Sequence, residues 1–269
     1  MTERSGFQVS GSAAEQYQRF IVPHYTGPWA DALVDAARVN SGQRVIDVAC
    51  GTGVVARAAA QLVGDAGEVV GLDVNAGMLE VARGVPTEEA ATLRWHEADV
   101  GDTGLDSEYF DVVVSQQGLQ YFPDRPRAFA ELRRVLKPGG HLMLSVWKEH
   151  SAFTRALADA AGQYISPQAG SQLESQRTAP PTDEILEQLV AAGFRDASIE
   201  EQQREVRLPA PNVYVPQHIS AMPIAAGFAE LDDDGRQIMV DDVAMRLTKN
   251  LIGEQIIFDD AVYLVSGHS

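Results

Sequence analysis

The stretch Val45-Ile46-Asp47-Val48-Ala49-Cys50-Gly51-Thr52-Gly53 decides the fold that this sequence predicts. An apolar run over residues 44–47, typical of a buried strand, leads through it into an alanine-rich helix predicted over residues 54–63. Glycines in the connecting loop allow a ligand to approach the backbone, and the start of the helix offers free amide groups. The stretch therefore predicts a ligand site at the carboxyl end of a strand.

Strand and helix patterns alternate on both sides of this stretch. Because the strands are almost continuously apolar, they predict a parallel sheet covered by helices on both faces. Right-handed crossovers then give an α/β fold with a doubly wound sheet. Strands are predicted at residues 68–73, 93–99, 110–115 and 141–147, and helices at residues 76–83 and 126–136, the last ended by Lys137-Pro138-Gly139-Gly140.

The remaining segments complete one predicted domain over residues 1–269. A helix capped by Thr182 and strands at residues 197–208 and 261–265 bring the mostly parallel sheet to seven strands. The predicted parts are an N-terminal helical lid (1–40), a cofactor-binding core (41–148), the rest of the sheet (149–208 and 253–269) and a helical insert (209–252).

Composition excludes several classes of partner. The formal net charge is -17 over 269 residues, and an acidic surface repels nucleic acids and anionic membrane surfaces. The chain has one cysteine and no continuous apolar run of about 18 residues that could span a membrane. We therefore expect a cytoplasmic protein, with no nucleic acid or membrane partner and no metal.

The acidic residues near three strand ends suggest what kind of ligand the site takes. Gly51 and Gly53 lack the spacing of a pyrophosphate loop, and the Asp47 carboxylate favours an ammonium or sulfonium charge instead. Asp73, 20 residues beyond Gly53, is placed to accept hydrogen bonds from ribose hydroxyls. Asp99 can accept from an adenine amino group, and the Val100 amide can donate to the ring. The pattern predicts a nucleoside ligand without phosphates.

Five motifs in this order resemble those of class I S-adenosylmethionine-dependent methyltransferases, of the small-molecule type related to the quinone C-methyltransferases. They cover residues 41–148. The resemblance implies S-adenosylmethionine as cofactor and methyl transfer by in-line displacement. The motifs are Val45 to Gly53, Gly71-Leu72-Asp73-Val74-Asn75-Ala76-Gly77-Met78-Leu79, Glu97-Ala98-Asp99-Val100, Phe110-Asp111-Val112-Val113, and Arg133-Arg134-Val135-Leu136-Lys137-Pro138-Gly139-Gly140.

The resemblance also implies roles for individual residues. Asp47 would lie near the amino group of the cofactor, and Met78 would pack on adenine. Ala49 stands where the family usually has glycine and adds a methyl group near the methionine moiety. The residues that the resemblance assigns to the cofactor site are Tyr17, Asp47, Ala49, Gly51, Gly53, Asp73, Val74, Met78, Asp99, Val100 and Gln116.

A general base assists methyl transfer only when the acceptor must lose a proton. Many small-molecule members of the family carry a histidine near the position of Gln120, but glutamine cannot take up a proton at neutral pH. The candidate bases are therefore His150 after the fifth strand and His24 in the N-terminal segment. His218 in the insert is a third histidine of this kind. We expect a lid from Tyr17, Phe20, Tyr25 and Trp29 over an apolar pocket.

Three functions remain open from the sequence. The first is methyl transfer to an oxygen, nitrogen or carbon atom of a small molecule. The second is a nicotinamide-dependent oxidoreductase on the same sheet, and the third is a protein that binds S-adenosylmethionine without catalysis. The insert could cap the pocket or form the surface of a homodimer. The sequence does not name the methyl acceptor.

Overall fold

One mixed sheet organises the computed structural model of this chain, which describes residues 12–87 and 92–269. Within these residues the strands follow the order β3-β2-β1-β4-β5-β8-β6, and β7 pairs with β8 outside that path. The strands are β1 (Arg44–Val48), β2 (Glu68–Asp73), β3 (Thr92–Glu97), β4 (Phe110–Gln116), β5 (Leu136–Trp147), β6 (Arg195–Leu208), β7 (Leu251–Ile252) and β8 (Gln255–His268).

Parallel pairing joins the first five strands, with β1 between β2 and β4. Strand β8 runs antiparallel between β5 and β6. The predicted doubly wound, mostly parallel sheet is therefore confirmed. The two-residue strand β7 is an eighth strand that the sequence did not predict, since so short a run carries no periodicity.

Helices lie on both faces of this sheet and beyond its carboxyl edge. One face is packed by α2 and α3 and the other by α5 and α8. The helices are α1 (Ser12–Gln16), a π-helix (Tyr17–Thr26), α2 (Gly27–Ala36), α3 (Val54–Val63), α4 (Ala76–Gly84), a 3₁₀ turn (Leu119–Tyr121), α5 (Arg125–Val135), α6 (Ala152–Tyr164), α7 (Pro167–Ser175), α8 (Thr182–Ala191), α9 (Pro211–Ser220), α10 (Ala225–Glu230), α11 (Asp233–Arg246) and a second 3₁₀ turn (Thr248–Asn250).

A separate apolar cluster joins the N-terminal segment to the later helices. Trp29 from α2 and Tyr25 from the π-helix are buried there with Tyr214 of α9 and Met239 of α11. Trp147, the last residue of β5, belongs to the same cluster. The N-terminal segment and the insert therefore pack together beyond the carboxyl end of β5.

The π-helix has a local cause in its sequence. Pro23 has no amide hydrogen, and its ring crowds the carbonyl one turn earlier, so regular α-helical bonding fails there. At the end of the segment the amide of Gly27 donates to the carbonyl of Val22, five residues earlier. A Cβ atom on Gly27 would lie 2.6 Å from that oxygen, so this wide turn needs glycine.

Three local predictions were wrong in detail. Helix α8 begins at Thr182, but its capping position is Pro181 and no side chain caps it. Strand β3 ends at Glu97, which leaves Asp99 in a turn bridged to Asp102. The segment predicted to end α5 instead lies within β5, where the pairing with β4 shifts register.

The described helices include none that is long and apolar enough to cross a membrane. Nor do the described residues contain a group of three or more His, Cys, Asp or Glu side chains placed to hold a metal ion.

Candidate functional site

A cavity of about 200 Å³ lies at the carboxyl edge of the sheet. At one end it reaches the ends of β2 and β3, and at the other it reaches Trp147 at the end of β5. Its lining includes Tyr17, Tyr25, Thr26, Ala49, Gly51, Asp73, Val74, Met78, Asp99, Val100, Gln116, Gln117, Gln120, Trp147, Leu157, Leu173, Gln176, Arg177, His218 and Met222.

A second cavity of about 50 Å³ adjoins the first at the end of β1. Asp47 and Thr52 line only this smaller space. Tyr17, Ala49 and Gln116 line both cavities, so the two spaces meet at these side chains.

Asp47 places a carboxyl group in the smaller cavity with one oxygen unused. The residue is 1% exposed, and Oδ2 accepts a hydrogen bond of 2.9 Å from the amide of Ala56. Oδ1 is buried and has no hydrogen-bond partner among the described residues. Burial, with a further contribution from the charge of Asp73, raises the pKa of Asp47 to about 8. A positive ligand charge at this point would satisfy Oδ1 and favour ionisation.

Asp73 ends β2 and organises the loop beside it. Its Oδ2 accepts a bond of 2.7 Å from the amide of Gly51, and its Oδ1 accepts one of 2.8 Å from Asn75. Burial raises the pKa of Asp73, although these amide bonds oppose the shift. A carboxylate has about four acceptor positions, so the group can still accept from a ligand hydroxyl in the larger cavity.

The turn after β3 contributes Asp99 and Val100. Asp99 Oδ1 accepts a bond of 2.7 Å from the amide of Gly101, which closes the turn and directs both residues toward the larger cavity. Met78 in α4 lines the same end, and Asn75 caps that helix through the amides of Gly77 and Met78. The structure therefore brings together the acidic residues that the sequence placed near three strand ends.

Every second residue from Ala49 to Gly53 in the first loop has a positive φ angle. Ala49 and Gly51 have φ angles of 56° and 55°, and both line the cavities. Ala49 therefore adopts a left-handed conformation that favours glycine. Gly53, with φ of 83°, is not among the described lining residues. A Cβ atom there would collide with the Trp95 ring, so packing by itself requires glycine at this position, and the ligand contact of Gly53 stays a prediction.

Gln116 and Gln117 extend from the end of β4 into the site. Gln116 Nε2 donates a bond of 2.8 Å to the carbonyl of Thr26, which ties β4 to the π-helix. Gln117 Nε2 lies 3.4 Å from Ser145 Oγ. The Oε1 atoms of both glutamines are buried without a partner in the described part of the chain. Two acceptors are therefore available to a ligand near the junction of the cavities.

Arg177 is the charged residue that lines the β5 end of the larger cavity, and no motif in the sequence marks it. The bonds from Arg177 to Asp260 measure 2.5 and 3.1 Å, and a third bond of 2.6 Å runs to the Tyr25 hydroxyl. Its guanidinium carbon lies 3.7 Å from the centre of the Trp147 ring. Arg177 therefore fixes the positions of two aromatic side chains that line the cavity.

The histidine that reaches the cavity is His218, not either of the two expected bases. Neither His24 nor His150 is among the described lining residues. His24 packs edge-on against Tyr214, and His150 lies at the surface 3.4 Å from Thr178 Oγ1. His218 is 9% exposed in α9. Burial, with a smaller contribution from the charge of Arg177, lowers the pKa of His218 to about 3.

Comparison with known proteins gives one family description. A family model described as a methyltransferase domain matches residues 46–144. A ubiquinone/menaquinone biosynthesis C-methyltransferase of Coxiella burnetii is 32% identical over 182 residues, which cover 62% of this chain and 73% of that protein. The corresponding protein of Bordetella avium is 34% identical over 180 residues, covering 62% and 69%.

Solved structures share the fold at low identity. Phosphoethanolamine N-methyltransferase 2 of Haemonchus contortus, in complex with phosphomonomethylethanolamine and S-adenosylhomocysteine, superposes with a TM-score of 0.60 at 19% identity. That match covers 95% of this chain but spans 56% of the Haemonchus protein. The YcgJ protein of Bacillus subtilis gives a TM-score of 0.55 at 17% identity, covering 91% of this chain and 99% of YcgJ.

Proposed function

Because this chain belongs to the class I S-adenosylmethionine-dependent methyltransferases, we propose that it methylates an oxygen, nitrogen or carbon atom of a small molecule. The enzyme class and the cofactor follow from the family, which sets aside the nicotinamide-dependent and non-catalytic alternatives. The choice of a small-molecule acceptor rests on the largely apolar lining of the cavity near β5.

The residues present fit the cofactor that the family implies. The unused Oδ1 of Asp47 suits an ammonium group, and the free Oε1 of Gln116 lies at the junction of the two cavities. Asp73 suits the hydroxyls of a ribose. Met78 and Val100 offer apolar surface beside Asp99 at the far end, which suits adenine. These groups are ordered along the cavity as the parts of an adenosylmethionine are ordered along the molecule.

S-adenosylmethionine supplies an electrophilic methyl group on a sulfonium when it is bound. The contribution of the chain is to bind, orient and exclude water. Asp47 and Asp73 anchor the two polar parts from adjacent strands, and Gly51 lets the backbone approach closely. Tyr17 closes the junction of the cavities from the π-helix. Holding two reactants in line accounts for a large share of the rate of such a displacement.

The observation that carries the proposal is that Asp47, Asp73 and Asp99 line two adjoining cavities at or just beyond the ends of three neighbouring strands. Calorimetry with S-adenosylhomocysteine tests it. Replacing Asp73 with alanine should weaken binding by about 1–3 kcal/mol, because a charged hydrogen-bond acceptor is lost. The exposed residue Asp65 gives a matched control: Asp65→Asn should bind like the parent.

Circular dichroism and thermal melting must show that Asp73→Ala is folded, since Asp73 also braces the amide of Gly51. The Asp73→Asn variant, which keeps one acceptor oxygen, should lie between alanine and the parent. A folded Asp73→Ala variant with parental affinity would contradict the ribose role. A parent chain that binds neither S-adenosylmethionine nor S-adenosylhomocysteine would contradict the proposed function.

A further inference from the structure

The end of the larger cavity near β5 has a chemistry distinct from the rest. We call it the acceptor chamber and define it by Trp147, Leu157, Leu173, Gln176, His218 and Met222. These residues come from β5, α6, the segments following α7 and α9, and α7 and α9 themselves. Four of the six side chains are apolar, so a bound molecule would be largely removed from water.

The described residues of the acceptor chamber offer no free charge to a ligand. Arg177 is the charged side chain that lines this end among the described residues, and Asp73 and Asp99 lie at the opposite end. The Asp260 carboxylate accepts hydrogen bonds from Nη1 and Nη2 of Arg177, and the Tyr25 hydroxyl accepts one from Nη1. The Glu149 carbonyl accepts from Nε at 3.1 Å and from Nη2 at 3.0 Å. All donors of Arg177 are therefore used within the protein.

A charged ligand group in this chamber would be buried without a counterion. The side chains of Arg177 and Asp260 are 5% and 1% exposed, so their pair is itself removed from water. Opening that pair to serve a ligand would leave the other partner buried and unpaired, which is strongly destabilising. The chamber therefore favours an uncharged molecule.

Gln176 leaves one donor unused in the same chamber. Its carbonyl accepts a bond of 3.0 Å from Gln120 Nε2, which holds the residue in place. Its own side-chain Nε2 is buried and has no partner in the described part of the chain. An unpaired buried donor is destabilising, and a ligand oxygen that accepts its hydrogen bond would remove that penalty.

We assign His218 as the second donor, on the ground of its contact with Tyr214. The two residues lie four positions apart on α9, and the fully buried Tyr214 hydroxyl is 3.4 Å from His218 Nδ1. A phenol can donate to an imidazole nitrogen, and we take the Tyr214 hydroxyl as the donor to Nδ1, which places the ring proton on Nε2. For Nε2 no partner is found among the described residues, and Phe153 and Tyr25 enclose the ring edge-on.

The geometry points to an uncharged, largely apolar methyl acceptor whose oxygen atom accepts hydrogen bonds from Gln176 and His218. This inference rests on the proposed function and specifies the acceptor for it. It excludes phosphorylated and carboxylated acceptors, including the kind of molecule bound in the Haemonchus structure. His218 and Gln176 are then specificity-determining residues rather than proton-transfer groups.

Three matched probes test this inference on the chain loaded with S-adenosylhomocysteine. Acetophenone carries a ring and a carbonyl oxygen, ethylbenzene lacks the oxygen, and 4-acetylbenzoate adds a carboxylate. Ligand-observed NMR titration should show acetophenone binding at least tenfold more tightly than either of the others. Equal affinity of acetophenone and ethylbenzene, tighter binding of the carboxylate, or no binding of acetophenone would each overturn the inference.

Variants separate the hydrogen-bond donor from mere packing. His218→Gln keeps an N–H group near the position of Nε2 and should retain most of the preference for acetophenone over ethylbenzene. His218→Leu and Gln176→Leu should each reduce that preference at least threefold. Parental preference in both leucine variants, or equal losses in His218→Gln and His218→Leu, would overturn the residue assignment.

Two further measurements make the outcomes distinguishable. Calorimetry with S-adenosylhomocysteine comes first, because failure of that binding rejects the proposed function, whereas intact binding without probe selectivity rejects only this inference. Nitrogen-15 NMR of the histidine rings should show a protonated Nε2 and an unprotonated Nδ1 for His218, and Tyr214→Phe should abolish that bias. The opposite tautomer in the parent chain would refute the donor role.

Discussion

The buried carboxyl of Asp47 should lower the free energy of unfolding of the chain and raise the affinity of the chain for S-adenosylmethionine. Burial raises the pKa of this group from its ordinary value of 3.8 to about 8. Between these limits the folded chain keeps a proton that the unfolded chain has lost. The free energy of unfolding therefore falls as the pH rises from about 4 to about 8.

The magnitude follows from the shift. One pKa unit corresponds to about 1.4 kcal/mol, so at pH 7 the buried carboxyl costs at most about 4 kcal/mol. The Asp47→Asn variant removes the ionisation and keeps an oxygen for the Ala56 amide. It also buries an amide NH2 group without hydrogen-bond partners, and this penalty offsets about 1–3 kcal/mol of the gain in the free energy of unfolding. We expect a net gain of about 2 kcal/mol near pH 7, which lies above the group's unfolded pKa and below its folded one.

Denaturant unfolding followed by circular dichroism between pH 5 and pH 8, without added cofactor, measures this effect. The stability of the parent should fall toward pH 8 more steeply than that of Asp47→Asn, and the exposed-site control Asp65→Asn should follow the parent. Calorimetry should show that the more stable variant binds the cofactor more weakly. Asp47→Asn should bind S-adenosylmethionine at least tenfold more weakly than the parent, because the ammonium group of the ligand loses its counterion. Coincident pH slopes, or a less stable Asp47→Asn variant at pH 8, would refute the reasoning.

Two stability predictions concern groups away from the cofactor. Arg177→Met should destabilise the fold by about 3–5 kcal/mol in denaturant unfolding, because it leaves the Asp260 carboxylate buried and unpaired. The double variant that also carries Asp260→Leu should recover part of the loss, and equal losses in both would argue against the pairing. Gly53→Ala should cost about 2 kcal/mol more than Gly42→Ala in thermal unfolding. The two glycines have φ angles of 83° and 82°, but only a Cβ on Gly53 would meet the Trp95 ring, so indistinguishable melting of the two variants would contradict that account.

Much of the sheet was accessible from the sequence because its signals are local. Helix α3 and strand β2 begin and end where the pattern predicted, since apolar periodicity, glycines and caps all act over a few residues. Errors arose where a neighbour decides the outcome. The register shift in β5 and the end of β3 depend on pairing with other strands, and Gly53 is required by a ring from a different strand.

The residues on the acceptor side of the site are harder to recognise in the sequence. His218 and Tyr214 share one face of a helix, and their spacing of four residues was visible in the sequence. Nothing in that spacing shows which face turns toward the cavity. His150 was favoured because it follows β5 directly, yet that position puts it at the surface, while the helices after it bring His218 inward.

By itself the sequence determined the doubly wound sheet and the stretch from Val45 to Gly53 as the place for the methyl donor. Strand, loop and helix there are consecutive, so parallel pairing alone brings Asp47 and Asp73 to one edge. The tertiary structure alone decided the acceptor chamber. Trp147, Arg177 and His218 lie tens of residues apart, and they meet only because the apolar surfaces of the N-terminal segment and the insert bury each other beyond β5.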